Sequence, residues 1–105
     1  MPIEISIWER RDNGDREVMG NTSVELCRIV RGRDGIRSAK FYWSGSERVV
    51  SIIEGETEAL NAPATAAPAD YARLAFTLAD NARNLMTLRL GEPRDALQTY
   101  RAAGR

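Results

Sequence analysis

Ser38-Ala39-Lys40-Phe41-Tyr42-Trp43-Ser44-Gly45-Ser46-Glu47-Arg48-Val49-Val50-Ser51-Ile52-Ile53 occupies the middle of the chain. Residues 38–43 are rich in aromatic side chains and residues 48–53 in Val and Ile, the composition of strands. The four residues between them, Ser44-Gly45-Ser46-Glu47, fit a hairpin loop. Two antiparallel strands are therefore expected side by side at the centre of the sequence.

Outward from this hairpin, each side reads as a helix and then a strand. At the start, Ile3-Glu4-Ile5-Ser6-Ile7-Trp8-Glu9 alternates apolar and polar residues, the period of a strand. Ile3, Ile5 and Ile7 share one face, and Glu4, Ser6 and Trp8 the other. Asp12-Asn13-Gly14-Asp15 supplies turn chemistry. A first helix follows. Thr22 and Glu25 have capping-box spacing, with Asn21 or Ser23 as alternative caps. Leu26, Ile29 and Val30 form its apolar stripe, beside Cys27, and Gly32 or Gly35 stops it.

Beyond the hairpin, residues 54–67 read as irregular, acidic first and then rich in Ala and Pro. Pro68 suits the first turn of a second helix. Its stripe is Tyr71, Leu74, Ala75, Leu78, Ala82 and Leu85. Leu74 and Leu78, at the middle of it, are expected to be buried against the sheet. Met86, Leu88 and Leu90 alternate with Thr87 and Arg89 as a fourth strand, which Gly91 breaks. Glu92-Pro93 opens a short last helix carrying Ala96, Leu97 and Tyr100. The order predicts an α+β chain, ferredoxin-like βαββαβ with an added short C-terminal helix and an antiparallel sheet. Residues 1–105 read as a single domain.

Composition narrows the chemistry. The 105 residues are 43% apolar and 29% charged, which is ordinary for a globular chain. Fifteen basic residues balance fifteen acidic ones, so the net charge is zero and the basic stripe used on nucleic acid is missing. Every basic residue but Lys40 is Arg, which reads as compositional bias rather than as an anion site. Cys27 is the only cysteine, so no internal disulfide forms and a reducing compartment is implied. Met1-Pro2-Ile3-Glu4 lacks the pattern of a secretion signal, and no apolar run has the length of a membrane span. A cytoplasmic protein without membrane or nucleic-acid partners is expected. There is no histidine, which removes Ser-His-Asp and Cys-His catalysis and His-ligated zinc, iron or haem. No cofactor is expected.

The element order, together with the run Gly35-Ile36-Arg37-Ser38-Ala39-Lys40-Phe41-Tyr42-Trp43, resembles the dimeric α+β barrel superfamily. The similarity of element order covers nearly the whole chain. It implies a homodimer in which two sheets pack together, and a pocket between sheet and helices in each subunit. Members of that superfamily include cofactor-independent oxygenases of antibiotic biosynthesis, isomerases, haem-degrading enzymes and proteins of no known activity. The haem-degrading pattern uses a histidine, which this chain lacks. The oxygenases rely on pocket Asn and Trp residues, for which Trp8, Trp43, Asn81 and Asn84 are the counterparts in kind, though not in aligned position.

Trp8, Tyr42, Trp43 and Asn81 are the candidate ligand-binding residues. The aromatics would line a pocket for a flat apolar or aromatic molecule, or else belong to the core or a dimer interface. Asn81 or Asn84 would orient a ligand carbonyl or cap the second helix, and Asp80 and Arg83 have i,i+3 spacing. Glu54, Glu56 and Glu58 would share a face if extended, but lack calcium-loop spacing, and no metal site is assigned. Cys27 reads as a buried, inert thiol, and Arg37 as a surface residue rather than an anion site.

The readings of function are three. The first is a small-molecule pocket protein, such as a cofactor-free oxygenase, isomerase or cyclase of secondary metabolism, whose general base would be Asp, Glu, Tyr or Lys. The second is a non-catalytic binding or accessory module. The third is a structural partner protein. Large apolar groups on both faces of the sheet, which one layer of helices cannot cover, point to a homodimer.

Overall fold

The computed structural model describes residues 1–61 and 69–91. Its elements in chain order are β1 (Ile3–Arg10), α1 (Arg16–Arg31), β2 (Ile36–Ser44), β3 (Arg48–Gly55), the single turn α2 (Thr57–Leu60), α3 (Ala69–Asn81) and β4 (Ala82–Leu90). The four strands form one sheet in the order β2-β3-β1-β4, antiparallel throughout. This is the split βαβ topology expected of a ferredoxin-like α+β fold. The expected last helix, Pro68 and residues 62–67 of the expected loop lie outside the described residues.

The hairpin forms where it is read, with Trp43 opposite Val49, but Ser44, expected in the loop, pairs with Arg48 at the end of β2 and leaves a three-residue loop. Gly45 takes φ +70 in its turn, the left-handed region that favours glycine. Both strands run further than expected. β2 gains Ile36 and Arg37 through a register shift, and β3 continues through Glu54 to Gly55. The acidic stretch is therefore not irregular: Glu54 is in a strand and Glu58 in α2.

α1 starts six residues before the expected capping box at Thr22. The carboxylate of Asp15 accepts the Val18 amide at 3.1 Å, and Thr22 and Ser23 are buried in mid-helix. Tertiary contacts settle this choice of cap. An added Cβ on Gly14 would lie 2.0 Å from the Asn81 carbonyl oxygen, so only glycine permits the approach that brings Asp15 to the end of α3. The Asp15 amide there donates to Asn81 Oδ1 at 2.8 Å. Gly32 closes the helix.

α3 ends at Asn81, four residues before the expected stripe does. The Asn81 carbonyl accepts from the Arg11 amide at 2.9 Å, and Arg11 Nε donates to the Ala79 carbonyl at 2.8 Å. The first loop thus takes the carbonyls a longer helix would leave at its end, and the chain passes directly into β4. Leu85 is consequently a strand residue, 39% exposed, and Arg83 pairs with Glu9 at 3.2 Å rather than with Asp80.

α1 and α3 pack on one face of the sheet only. Met19, Val49, Leu78 and Ala82 form one buried cluster with Trp8, Phe41 and Trp43 against it. Cys27, Val30 and Ala39 form a second, with Ile53 and Tyr71. Leu74 and Leu78 are both buried, as the stripe predicts. The helices cover the face carrying Trp8, Val49 and Phe41, so Ile3, Ile5 and Ile7 point to the opposite face. There they stand beside Leu90, Leu88 and Met86 of β4, which are 48%, 44% and 47% exposed. The more apolar side of β1 is thus the one that no helix of the described residues covers.

Candidate functional site

The covered face of β1 carries Glu4 and Ser6 beside Trp8, and these do not fill the space beneath the helices. Small side chains stand opposite and beside them: Ser51 on β3, Ser23 on α1 and Ala75 on α3. A cavity of about 150 Å³ results between sheet and helices. Its walls are mainly apolar, from Trp8, Leu26, Val30, Phe41, Ile53 and Leu78, with Cys27 and Tyr71 completing them.

The polar groups are ordered by strand register. Ser6 is the cross-strand partner of both Ser51 and Thr87. Its hydroxyl and that of Thr87 are hydrogen-bonded at 3.2 Å. Two residues along β1, Glu4 pairs with Arg89 Nη2 at 2.9 Å. Arg89 also donates to the Asn61 side chain and so ties the end of α2 to the sheet. The Cys27 thiol is 7% exposed, and burial pushes its pKa up while nearby Arg31 pulls part of that back. A thiol held neutral is a poor nucleophile, which agrees with its reading as inert.

Of the four candidate residues, the structure brings only Trp8 to the cavity wall. Trp43 shares the helix-covered face but packs into the neighbouring cluster, with the Arg16 guanidinium 4.8 Å from its ring centroid. Tyr42 follows the strand alternation to the other face and is 54% exposed. Asn81 sits at the α3–β4 junction, away from the cavity lining. Both ends of its amide are engaged, Oδ1 by the Asp15 amide and Nδ2 by the Thr77 carbonyl at 2.9 Å. Asn84 spans the irregularity between Ile7 and Trp8, donating to the Ile7 carbonyl at 3.2 Å. Arg37 pairs with Glu54 at 3.4 Å, and no group of three ligand-type side chains that could hold a metal ion is found among the described residues.

Among the cavity residues that sequence reasoning did not select are those with oxygen-bearing side chains, Glu4, Ser6, Ser23, Ser51 and Tyr71. One signal was available in the alternation of β1, which groups Glu4 and Ser6 with Trp8. A face that mixes small polar residues with one large aromatic leaves space when helices cover it.

No family model and no curated protein sequence matches the chain. Solved structures do. The cofactor-independent oxygenase SnoaB from Streptomyces nogalater superposes with a TM-score of 0.73 at 8% identity, covering 87% of this chain and 91% of that one. An antibiotic biosynthesis monooxygenase matches with a TM-score of 0.72 at 14% identity, covering 88% and 98%. Rv0793 from Mycobacterium tuberculosis matches with a TM-score of 0.70 at 17% identity, covering 88% and 95%. At these identities the likeness is one of fold. The ferredoxin-like α+β fold is thus the one seen in proteins similar to antibiotic biosynthesis monooxygenases, as the resemblance to dimeric α+β barrels implies.

Proposed function

We propose that this protein binds a small, mainly apolar or aromatic molecule in the cavity between its helices and sheet, and that it works as a cytoplasmic homodimer. The observation that carries the reading is the cavity itself, with apolar walls, a few convergent hydroxyls and the carboxylate of Glu4. Trp8, with Phe41 and Tyr71, supplies the aromatic part of its lining. The homodimer reading rests on the face bearing Ile5, Ile7, Met86 and Leu88, which no helix of the described residues covers.

The enzymatic form of the reading is a cofactor-independent oxygenase, isomerase or cyclase, supported by a fold shared with SnoaB. Glu4 and Tyr71 are then the lining side chains of the types that serve as a general base. A non-catalytic binding protein is the second reading, favoured by the engagement of Glu4 with Arg89 and by the unreactive thiol of Cys27. Native mass spectrometry on protein purified from its own host tests the binding they share. The expected result is a small-molecule adduct that is lost in Ala75→Leu, a substitution that fills the cavity. No adduct, or one that survives Ala75→Leu, would count against the site. Turnover of the recovered molecule, followed by chromatography of the product and, for an oxygenase, by oxygen consumption, separates the two readings.

A further inference from the structure

We propose that the hydroxyls of Ser23 and Ser51 are the specificity-determining groups of this cavity, selecting an uncharged ring-sized molecule that carries a hydroxyl or carbonyl oxygen, and that Glu4 turns the site against anions. This inference rests on reading the cavity as a ligand site. Ser23 lies in mid-helix and is 5% exposed. A serine or threonine in such a place commonly donates to the carbonyl one turn back. Thr77 of α3 does so, to Arg73 at 3.0 Å. Among the described residues Ser23 makes no such bond, nor any other side-chain hydrogen bond. No fully buried side-chain nitrogen or oxygen of these residues lacks a partner, so the Ser23 oxygen must reach the space of the cavity it lines.

The same holds for Ser51. On its level of the sheet stand three hydroxyls, Thr87, Ser6 and Ser51, on adjacent strands. Ser6 and Thr87 satisfy one another, which leaves Ser51 spare on the β3 side. Two hydroxyls without protein partners therefore enter one apolar cavity, one from α1 and one from β3. Each can donate and accept, so together they suit a ligand hydroxyl or carbonyl. An apolar ligand that buries both without bonding leaves two polar groups unsatisfied.

Charge and size complete the description. The ionic group in the lining is the carboxylate of Glu4, and the nearby cation, Arg89, is already paired with it. An anionic ligand would meet like charge there. About 150 Å³ accommodates a single benzene-sized ring.

Toluene, p-cresol and p-toluate, with p-toluamide as the neutral match of p-toluate in size, test this on the whole chain, titrated by calorimetry at neutral pH. We expect p-cresol to bind at least as tightly as toluene despite its better hydration, and p-toluate to bind much more weakly than p-toluamide. Ser23→Ala and Ser51→Ala should each cost p-cresol about tenfold and leave toluene within about twofold, the loss of one hydrogen bond. Ser23→Thr and Ser51→Thr, which keep the hydroxyl, should keep the cresol-to-toluene ratio, while Ser23→Cys and Ser51→Cys, whose thiols bond only weakly, should lower it and stand in if an alanine variant folds poorly. Glu4→Gln should raise p-toluate affinity about tenfold. A cresol-to-toluene ratio that is the same in the alanine variants as in the parent overturns the serine assignment. So does a loss that appears in Tyr71→Phe instead. Unchanged p-toluate binding in Glu4→Gln overturns the anion half. If the parent binds none of the probes, or binds them equally after Ala75→Leu, the cavity reading itself fails and takes this inference with it.

Discussion

Leu78→Ala is the substitution whose cost the structure allows to be worked most closely. Leu78 is 6% exposed, touches the cluster of Met19, Val49 and Ala82, and forms part of the cavity wall. Truncation removes three buried carbons, about 2.4 kcal/mol at about 0.8 kcal/mol each. A void term adds to this. It is smaller here than at a fully packed site, because Leu78 already faces empty space and has fewer contacts to lose. The expected total is about 3 kcal/mol, inside the range of about 2–5 kcal/mol for core leucines. For a chain of this size that lowers Tm by about 12–24 °C, at about 4–8 °C per kcal/mol. Urea and thermal unfolding followed by circular dichroism read it directly. Toluene should recover more Tm in Leu78→Ala than in the parent, because the enlarged cavity holds it in the folded state alone. A loss below about 1 kcal/mol would refute the placement of α3 against the sheet.

Other perturbations probe the remaining contacts. Leu88→Lys, on the face that no helix of the described residues covers, should give a folded monomer in sedimentation where the parent runs as the proposed homodimer; an unchanged dimer would move the interface elsewhere, and a monomeric parent would refute the dimer. Gly14→Ala forces a Cβ to within 2.0 Å of the Asn81 carbonyl oxygen and should cost at least about 2 kcal/mol by thermal melting. Asn81→Ala loses bonds to the Asp15 amide and the Thr77 carbonyl. It should cost about 2 kcal/mol while toluene binding stays intact; weakened binding at full stability would return Asn81 to the site. Hydrogen bonds from Arg48 and Arg83 hold the Glu9 pKa below the usual carboxylate range, and Arg10 does the same for Glu47. Between the folded and unfolded values the unfolded chain binds more protons, so their contribution is complete above about pH 4.3 and is lost as pH falls through the lowered folded values. Glu9→Gln with Glu47→Gln should flatten the acid limb of a stability profile, and an unaltered slope would show that the pairs contribute nothing.

Local chemistry made most of the fold legible. The period of two in Ile3–Glu9, the turn residues Ser44–Glu47 and the stripe Tyr71–Leu78 each report on neighbours a few residues apart, and each element forms where it is read. Together they determine the element order, and the order restricts the topology to a split βαβ sheet. Helix ends were less legible, because they depend on partners far along the chain. Asp15 outcompetes Thr22 as a cap only because Gly14 can lie against the carbonyl of Asn81, more than sixty residues away. That same contact ends α3 before Leu85.

The candidate site was the least legible part, for the same reason. Alternation shows that Ile3, Ile5 and Ile7 oppose Glu4, Ser6 and Trp8, but it does not show which set the helices cover. The tertiary structure places α1 and α3 over the more polar set. That choice sets Ser6 and Ser51 beside Trp8 beneath the helices, opens a cavity among small side chains, and leaves the isoleucine face uncovered by the helices of the described residues. Tyr42 and Trp43 divide between the two faces, and Asn81 is drawn into the junction of α3 and β4. A pocket is a relation between surfaces brought together from distant parts of the chain, so its residues were set by packing and not by any local pattern.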